Sequence, residues 1–236
     1  MDSPQKKFEI IIIMKKVVCL KWGNKYSSKY ANILYSMVRR HTSGPLEFVC
    51  VTEDGKNLNR NIVIKEMPTD FLSGWWNKLS LFKPGILEGR FLFLDLDIVI
   101  HGSIDPLFEL MPESPFCVIR DFGRYYKNTY NSSVMRFDSQ KTNYIWEEYM
   151  YSKKEFDNYD GDQNVISKIL KEKHNHEIFP DHLTWSYKFG SIRNKYEKLK
   201  LPPPKSIMSI FHGHPNPPEV KDKWVVDNWR QDIPLL

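Results

Sequence analysis

Asp95 and Asp97 stand two residues apart where the apolar run Phe91-Leu92-Phe93-Leu94 ends, within the segment FLFLDLDIVI. An unpaired buried charge is costly, so acids in such a place are usually kept for a cation or a proton. In a continuing strand, residues i and i+2 share one face. Where the chain curls into Ile98 and Val99, one carboxylate can bind a metal while the other reaches a neighbouring hydroxyl. A second apolar run, SIMSIF, is followed directly by His212. Two carboxylates and one imidazole make a mixed oxygen/nitrogen donor set that suits Mn2+, with Mg2+ as the alternative ion. A lone DxD after an apolar run also occurs without such chemistry, so the surrounding elements must decide.

Those elements alternate. KKVVCLKWG reads as a first strand, apolar from Val17 to Leu20. Ser27 and Ser28 are candidate N-caps for a helix with Tyr30, Ile33, Leu34, Met37 and Val38 on one face. LEFVCVT (46–52) and NIVIKEM (61–67) are further strands, and a helical segment around Trp76 to Phe82 stops at Pro84. FLFLDLDIVI reads as one central strand, because a continuous apolar run suits a parallel strand covered on both faces. Asp105 and Pro106 make an N-cap and N1 pair for a short helix over Leu107, Phe108 and Leu110. Two strands follow, 115–121 and 131–137, joined by the aromatic loop GRYYKNTY, a candidate acceptor-side lid or platform. Helices are expected over 142–151 and 162–172, and the loop-rich tail holds a last strand in 206–211. The alternation predicts an α/β sandwich with a mostly parallel sheet and its chemistry at the carboxyl ends of the strands.

The chain has 236 residues and 41% hydrophobic content, enough for one large domain with a full core. Residues 1–13 read as an N-terminal extension, since Met14 opens an ordinary first strand, and 14–236 as a single domain. The apolar stretch Ile10 to Met14 is too short to span a bilayer and lacks a signal-peptide cleavage pattern. Cys19, Cys50 and Cys117 are odd in number and lie in apolar runs, which predicts buried thiols and a cytoplasmic protein. The net charge of +5 suits an anionic small molecule, while no dense basic stripe marks a nucleic-acid partner.

Taken together, five segments resemble the metal-dependent GT-A glycosyltransferases, and among them glycosyltransferase family 8. The resemblance runs from about Val17 to about Pro218. FLDLDIVIHGSIDPLF is similar to the DxD strand, turn and short helix of that family. WWNKLSLFKP resembles the preceding segment, where a basic residue faces the donor, which maps to Lys78. NSSVMRF resembles the motif whose Asn touches the donor sugar, here Asn131. GDQNVIS resembles the Asp-Gln pair beside the sugar, here Asp162 and Gln163. IFHGHPNPPE resembles the late loop whose His completes the metal site, here His212 in preference to His214. Each motif is weak singly; five in order are specific. One departure matters: a Lys that holds the diphosphate in that late loop is replaced by Asn216, leaving Lys188, Lys221 and Lys223 as candidates.

The resemblance implies a Rossmann-like GT-A domain, with a mostly parallel central sheet flanked by helices. It further implies transfer of a sugar from a nucleoside diphosphate, UDP first, to a carbohydrate or glycoconjugate acceptor. A divalent cation held by Asp95, Asp97 and His212 would neutralise the leaving diphosphate, with Lys78 adding fixed positive potential. Gln163 and Asp162 would stabilise the oxocarbenium-like carbon. The Trp22-Gly23 turn would let backbone approach the base, and Thr52, Glu53 and Asp54 would reach base or ribose. Retention of configuration by front-face attack is the implied outcome.

Plainer roles stand beside these. Asp162 could be a helix N-cap, Asn131 a turn residue and Lys78 a solvated surface charge. Trp75 and Trp76 read first as packing, and His174 and His176 as solvated loop residues. Trp224 and Trp229 would dock the tail, or else face an acceptor or a membrane surface. Two rival functions remain. A haloacid-dehalogenase-like phosphatase would use Asp95 as nucleophile and Asp97 as acid/base, but its motif normally ends a first strand. A non-catalytic nucleotide- or carbohydrate-binding domain would fit the missing Lys.

Overall fold

The apolar runs pair into one large sheet. The computed structural model describes residues 14–68, 72–123, 129–190 and 201–234. The first thirteen residues and most of the GRYYKNTY loop, 124–128, lie outside them. Strands β1 (Lys15–Lys21), β2 (Leu46–Thr52), β3 (Ile62–Glu66) and β4 (Arg90–Leu94) are mutually parallel in the order β3-β2-β1-β4. Beyond β4 lie β7 (Tyr130–Asp138), β6 (Phe116–Arg120) and β8 (Glu177–Ile178), with β7 antiparallel to both β4 and β6. Alternation sets the two faces: Val17, Cys19, Leu92 and Leu94 bury against helix α1 (Ser28–Arg40). Val18, Leu20, Phe91 and Phe93 bury on the other face, against helices α3 (Tyr144–Tyr151), α4 (Lys153–Phe156) and α5 (Asp162–Lys173). Both faces being covered explains the unbroken apolar sequence of these strands.

Three sequence readings change. FLFLDLDIVI is not one strand: β4 ends at Leu94, and Ile98–Ile100 form β5 of a separate small sheet. That sheet has the order β5-β10-β9, with β9 at Thr184–Ser186 and β10 at Met208–Ile210. The break lets Asp95, Leu96 and Asp97 leave the ladder together. Asp105 does not cap helix α2 (Pro106–Glu109); its backbone is already helical, and its carboxylate binds the Ser43 N–H and Lys15 Nζ instead. The segment Gly74–Phe82 is a 3-10 helix, and the tail carries β9 and a short helix Lys223–Asn228 besides the expected strand. Trp224 packs on Trp185 and Tyr187, and Trp229 on Tyr30, so both dock the tail onto the body. Cys19, Cys50 and Cys117 are buried and free.

Candidate active site

The sheet order reverses direction at β1, with β2 to one side and β4 to the other, so a crevice opens where these two strands end. β1 runs into Trp22 and Gly23, whose φ of +51° makes the turn one that glycine favours. β4 runs into Asp95, whose N–H still bonds the Ser133 carbonyl at 3.0 Å. Asp95 continues the alternation of Phe91 and Phe93 and faces the 3-10 helix. A register shift between Val118 and Ile119 of β6 bulges the start of β7, bringing Asn131, Ser132 and Ser133 to the same crevice.

Lys78 occupies the centre. It is 7% exposed, so it is no solvated surface charge. Its Nζ lies 3.0 Å from Asp95 Oδ1, 3.4 Å from Asp162 Oδ2 and 3.1 Å from Ser132 Oγ, over the Phe93 ring. Ser132 Oγ in turn donates to Asp162 Oδ2 at 2.8 Å. Burial alone would lower the Lys78 pKa, but the carboxylates of Asp162 and Asp95 outweigh it and hold the ammonium above its ordinary value. Asp162 is the first residue of α5 and not its N-cap, which is Gly161. A Cβ at Gly161 would meet Trp75 Nε1 at 3.0 Å, so glycine here lets the indole lie against the helix start.

Asp97 is buried beside this cluster but takes its hydrogen bonds from other segments. Its Oδ2 accepts from Tyr26 Oη at 3.0 Å and from the Gly213 N–H at 3.2 Å. Burial and then the Asp95 charge raise its pKa, partly opposed by those two donors and by the Lys25 charge. His212 and Gly213 both have positive φ, +56° and +82°, a strained left-handed turn that aims the Gly213 N–H at Asp97. The His212 ring sits between Phe122 and Phe189, and burial lowers its pKa to about 4 despite the attraction of Asp95. Its Nε2 is buried with no hydrogen-bond partner among the described residues, an atom left open to a ligand. Asp95, Asp97 and His212 thus offer the donor chemistry of a hard divalent cation. No group of three His, Cys, Asp or Glu is arranged around a common point among the described residues.

Two cavities flank the Lys78 cluster and share Trp75. The smaller, about 100 Å³, is lined by Trp22, Lys25, Tyr26, Lys78, Asp95 and Asp97 among others. The larger, about 440 Å³, is lined by Asn131, Asp162, Gln163, Asp121, Phe189 and His212 among others. Gly23 and Asp54 line neither: the Gly23 N–H is taken by the Glu53 carboxylate, and the Asp54 carboxylate accepts the Lys56 N–H at 2.9 Å. Trp76 is packed against Tyr149, but Trp75 is 52% exposed over both cavities, so only the former is a packing residue. His176 is half-buried and bonds Tyr130 Oη at 2.7 Å, whereas His174 is exposed at the α5 terminus. Sequence reasoning missed Tyr26, Lys25, Ser132 and Phe189. WGNKY, directly after the first strand, carried the signal for the first two; Ser132 and Phe189 carried none.

No family model matches the chain, and no curated protein matches it in sequence. Solved structures do. GlyE, a glycosyltransferase of Streptococcus pneumoniae TIGR4, is 16% identical with a TM-score of 0.63, over 86% of this chain and 56% of its own. An active-site mutant of LgtC is 12% identical with a TM-score of 0.64, over 88% of this chain and 91% of its own. The galactosyltransferase LgtC in complex with donor and acceptor sugar analogs is 13% identical with a TM-score of 0.62, over 93% and 97%. This chain therefore spans little more than half of GlyE but nearly all of LgtC. The reversal point at β1, the crevice beside it and these likenesses agree: the chain has the GT-A fold.

Proposed function

We propose that this chain transfers a glycosyl residue from a nucleoside-diphosphate sugar, a UDP-sugar, to a carbohydrate or glycoconjugate acceptor. The observation that carries this is Lys78, buried between Asp95, which lines the smaller cavity, and Asp162, which lines the larger. The smaller cavity, walled by Trp22 and Tyr26, suits a planar base and its phosphates. The larger, with Asn131, Asp162 and Gln163, suits the sugar and acceptor.

Asp95, Asp97 and His212 would hold the cation, Mn2+ or Mg2+, and the unpartnered Nε2 of His212 supports that assignment. Bound there, the ion supplies Lewis-acid neutralisation of the diphosphate. The residues themselves do the rest. Lys78 orients the Asp95 and Asp162 carboxylates and balances their charge. The Gln163 carbonyl oxygen and the Asp162 carboxylate offer electron density to the anomeric carbon. The bond from that carbon to the phosphate oxygen breaks as the acceptor oxygen bonds the same face. The acceptor proton passes to the departing phosphate, and configuration is retained. Three free buried cysteines suit a cytoplasmic setting. Among the described residues no helix is long and apolar enough to cross a membrane.

The test is turnover. The protein with Mn2+ is incubated with UDP-glucose, UDP-galactose and UDP-N-acetylglucosamine, and released UDP is measured beside p-nitrophenyl phosphate cleavage. Slow UDP release from one donor, reduced in Gln163→Ala, is expected. Phosphate-ester cleavage abolished by Asp95→Asn, with every UDP-sugar left intact, would replace this reading with a phosphatase.

A further inference from the structure

A diphosphate needs a cation besides any metal, and the late loop does not provide one. Asn216 stands where a Lys would serve, and its amide is spent within the loop on Glu219, as are the Glu219 contacts to His214. The other cations near the crevice are engaged or misplaced, and Lys221 is exposed and lines neither cavity. Lys78 is enclosed by two carboxylates and a hydroxyl. Lys223 pairs with Asp227 at 2.6 Å. Lys188 lies over the Phe189 ring and acts on His212, on the side of the larger cavity.

Lys25 differs from all of these. Its Nζ sits 4.9 Å from the Tyr26 ring centre and 6.0 Å from that of Trp22, and the residue lines the smaller cavity with Asp95 and Asp97. The residue is exposed, and no acid pairs with it among the described residues. Position 216 reaches the same place from the opposite side: Asn216 Oδ1 lies 3.4 Å from Tyr26 Oη. The two positions therefore bracket one tyrosine. A charge brought by the early loop occupies the neighbourhood that a charge at 216 would have served.

We infer that Lys25 is the side chain that holds the donor's diphosphate, its stem resting on Trp22 and Tyr26 and its ammonium facing the phosphate oxygens beside Asp97. The assignment rests on the nucleotide-sugar reading and adds to it the residue that binds the leaving group. An ammonium on a phosphate is a charge-assisted contact, stronger than the neutral hydrogen bonds available elsewhere in the cavity. Flanking aromatic faces keep it oriented at little entropic cost.

The test is calorimetric titration of UDP, UMP and uridine in Mn2+ into the wild type, Lys25→Ala, Lys188→Ala and the double variant Lys25→Ala/Asn216→Lys. Lys25→Ala is expected to weaken UDP by about tenfold or more while uridine changes little. Lys188→Ala should weaken UDP less, and Asn216→Lys should restore much of the loss. Circular dichroism confirms that each variant is folded. Unchanged UDP affinity in Lys25→Ala, or an equal loss for uridine, overturns the assignment while leaving the nucleotide-sugar reading in place. A wild type that binds no UDP overturns both.

Discussion

Two of the cations buried among the described residues, Arg136 and Lys78, are buried in different company. Arg136, 1% exposed on β7, donates to the carbonyls of Leu107, Phe108, Leu110 and Met111 at the end of α2 and rests on Phe179. Lys78 faces Asp95, Asp162 and Ser132 and lines the smaller cavity, while Asp162 lines the larger. The guanidinium closes a helix end whose carbonyls would otherwise be orphaned. Carbonyls cannot change charge, so that arrangement has one state and serves stability. Carboxylates around an ammonium at an open cavity can be re-partnered by a ligand, so the second arrangement can serve chemistry. What surrounds a buried charge, more than its burial, separates scaffold from site.

The largest effect expected is on the scaffold side. Arg136→Met strips several carbonyls of their donor and should cost about 3 kcal/mol or more in urea unfolding. UDP affinity of the folded fraction should stay within about twofold. A variant that keeps its stability but loses UDP would collapse the distinction. Lys78→Met should do the reverse, lowering donor turnover by about a hundredfold with a smaller loss of unfolding free energy than Arg136→Met.

Asp97→Asn sharpens the contrast further. The folded pKa of Asp97 is raised, so its favourable contribution holds below the ordinary carboxylate pKa and is lost as pH rises through the folded value. Asn avoids that loss, and thermal unfolding at pH 7 should move up by a few degrees while Mn2+-dependent UDP binding disappears. Such a gain in stability with loss of function marks a site residue.

The smallest effect lies in the small sheet. Half-buried His101 accepts from Trp185 Nε1 and packs on Trp224, and burial followed by the nearby His41 charge lowers its pKa to about 4. A depressed His stabilises the fold above its ordinary pKa and loses that contribution as pH falls toward the folded value. Acidification from pH 7 to about 5.5 should cost on the order of 1 kcal/mol through this group. His101→Gln should flatten that slope, read by Trp fluorescence during denaturation.

Much of the architecture was legible because its signals are local. β1, β2 and α1 announce themselves by alternation, apolar continuity and period, and the order of strands and helices gave the α/β class. The break after Leu94 was not legible. Ile98–Ile100 is as apolar as Phe91–Leu94, and only pairing with β10, more than a hundred residues away, assigns it to the small sheet. Asp105 failed as a cap for a similar reason, since Lys15 and Ser43 outcompete its own helix. Within the site, motif order led to Lys78, Asp95, Asn131, Asp162, Gln163 and His212, all of which lie at the two cavities. Tyr26 and Lys25 were missed although WGNKY follows the first strand, and Trp75 was read first as packing, because only the cavity that forms around them shows their place.

The most direct test of the account is one calorimetric titration: UDP into the wild type in Mn2+, repeated in EDTA and with Asp97→Ala. The account predicts saturable binding in Mn2+ that falls by at least about tenfold in EDTA and in the variant. Equal UDP affinity in Mn2+ and EDTA, or no binding in either, would contradict a nucleotide-sugar site at the ends of β1 and β4.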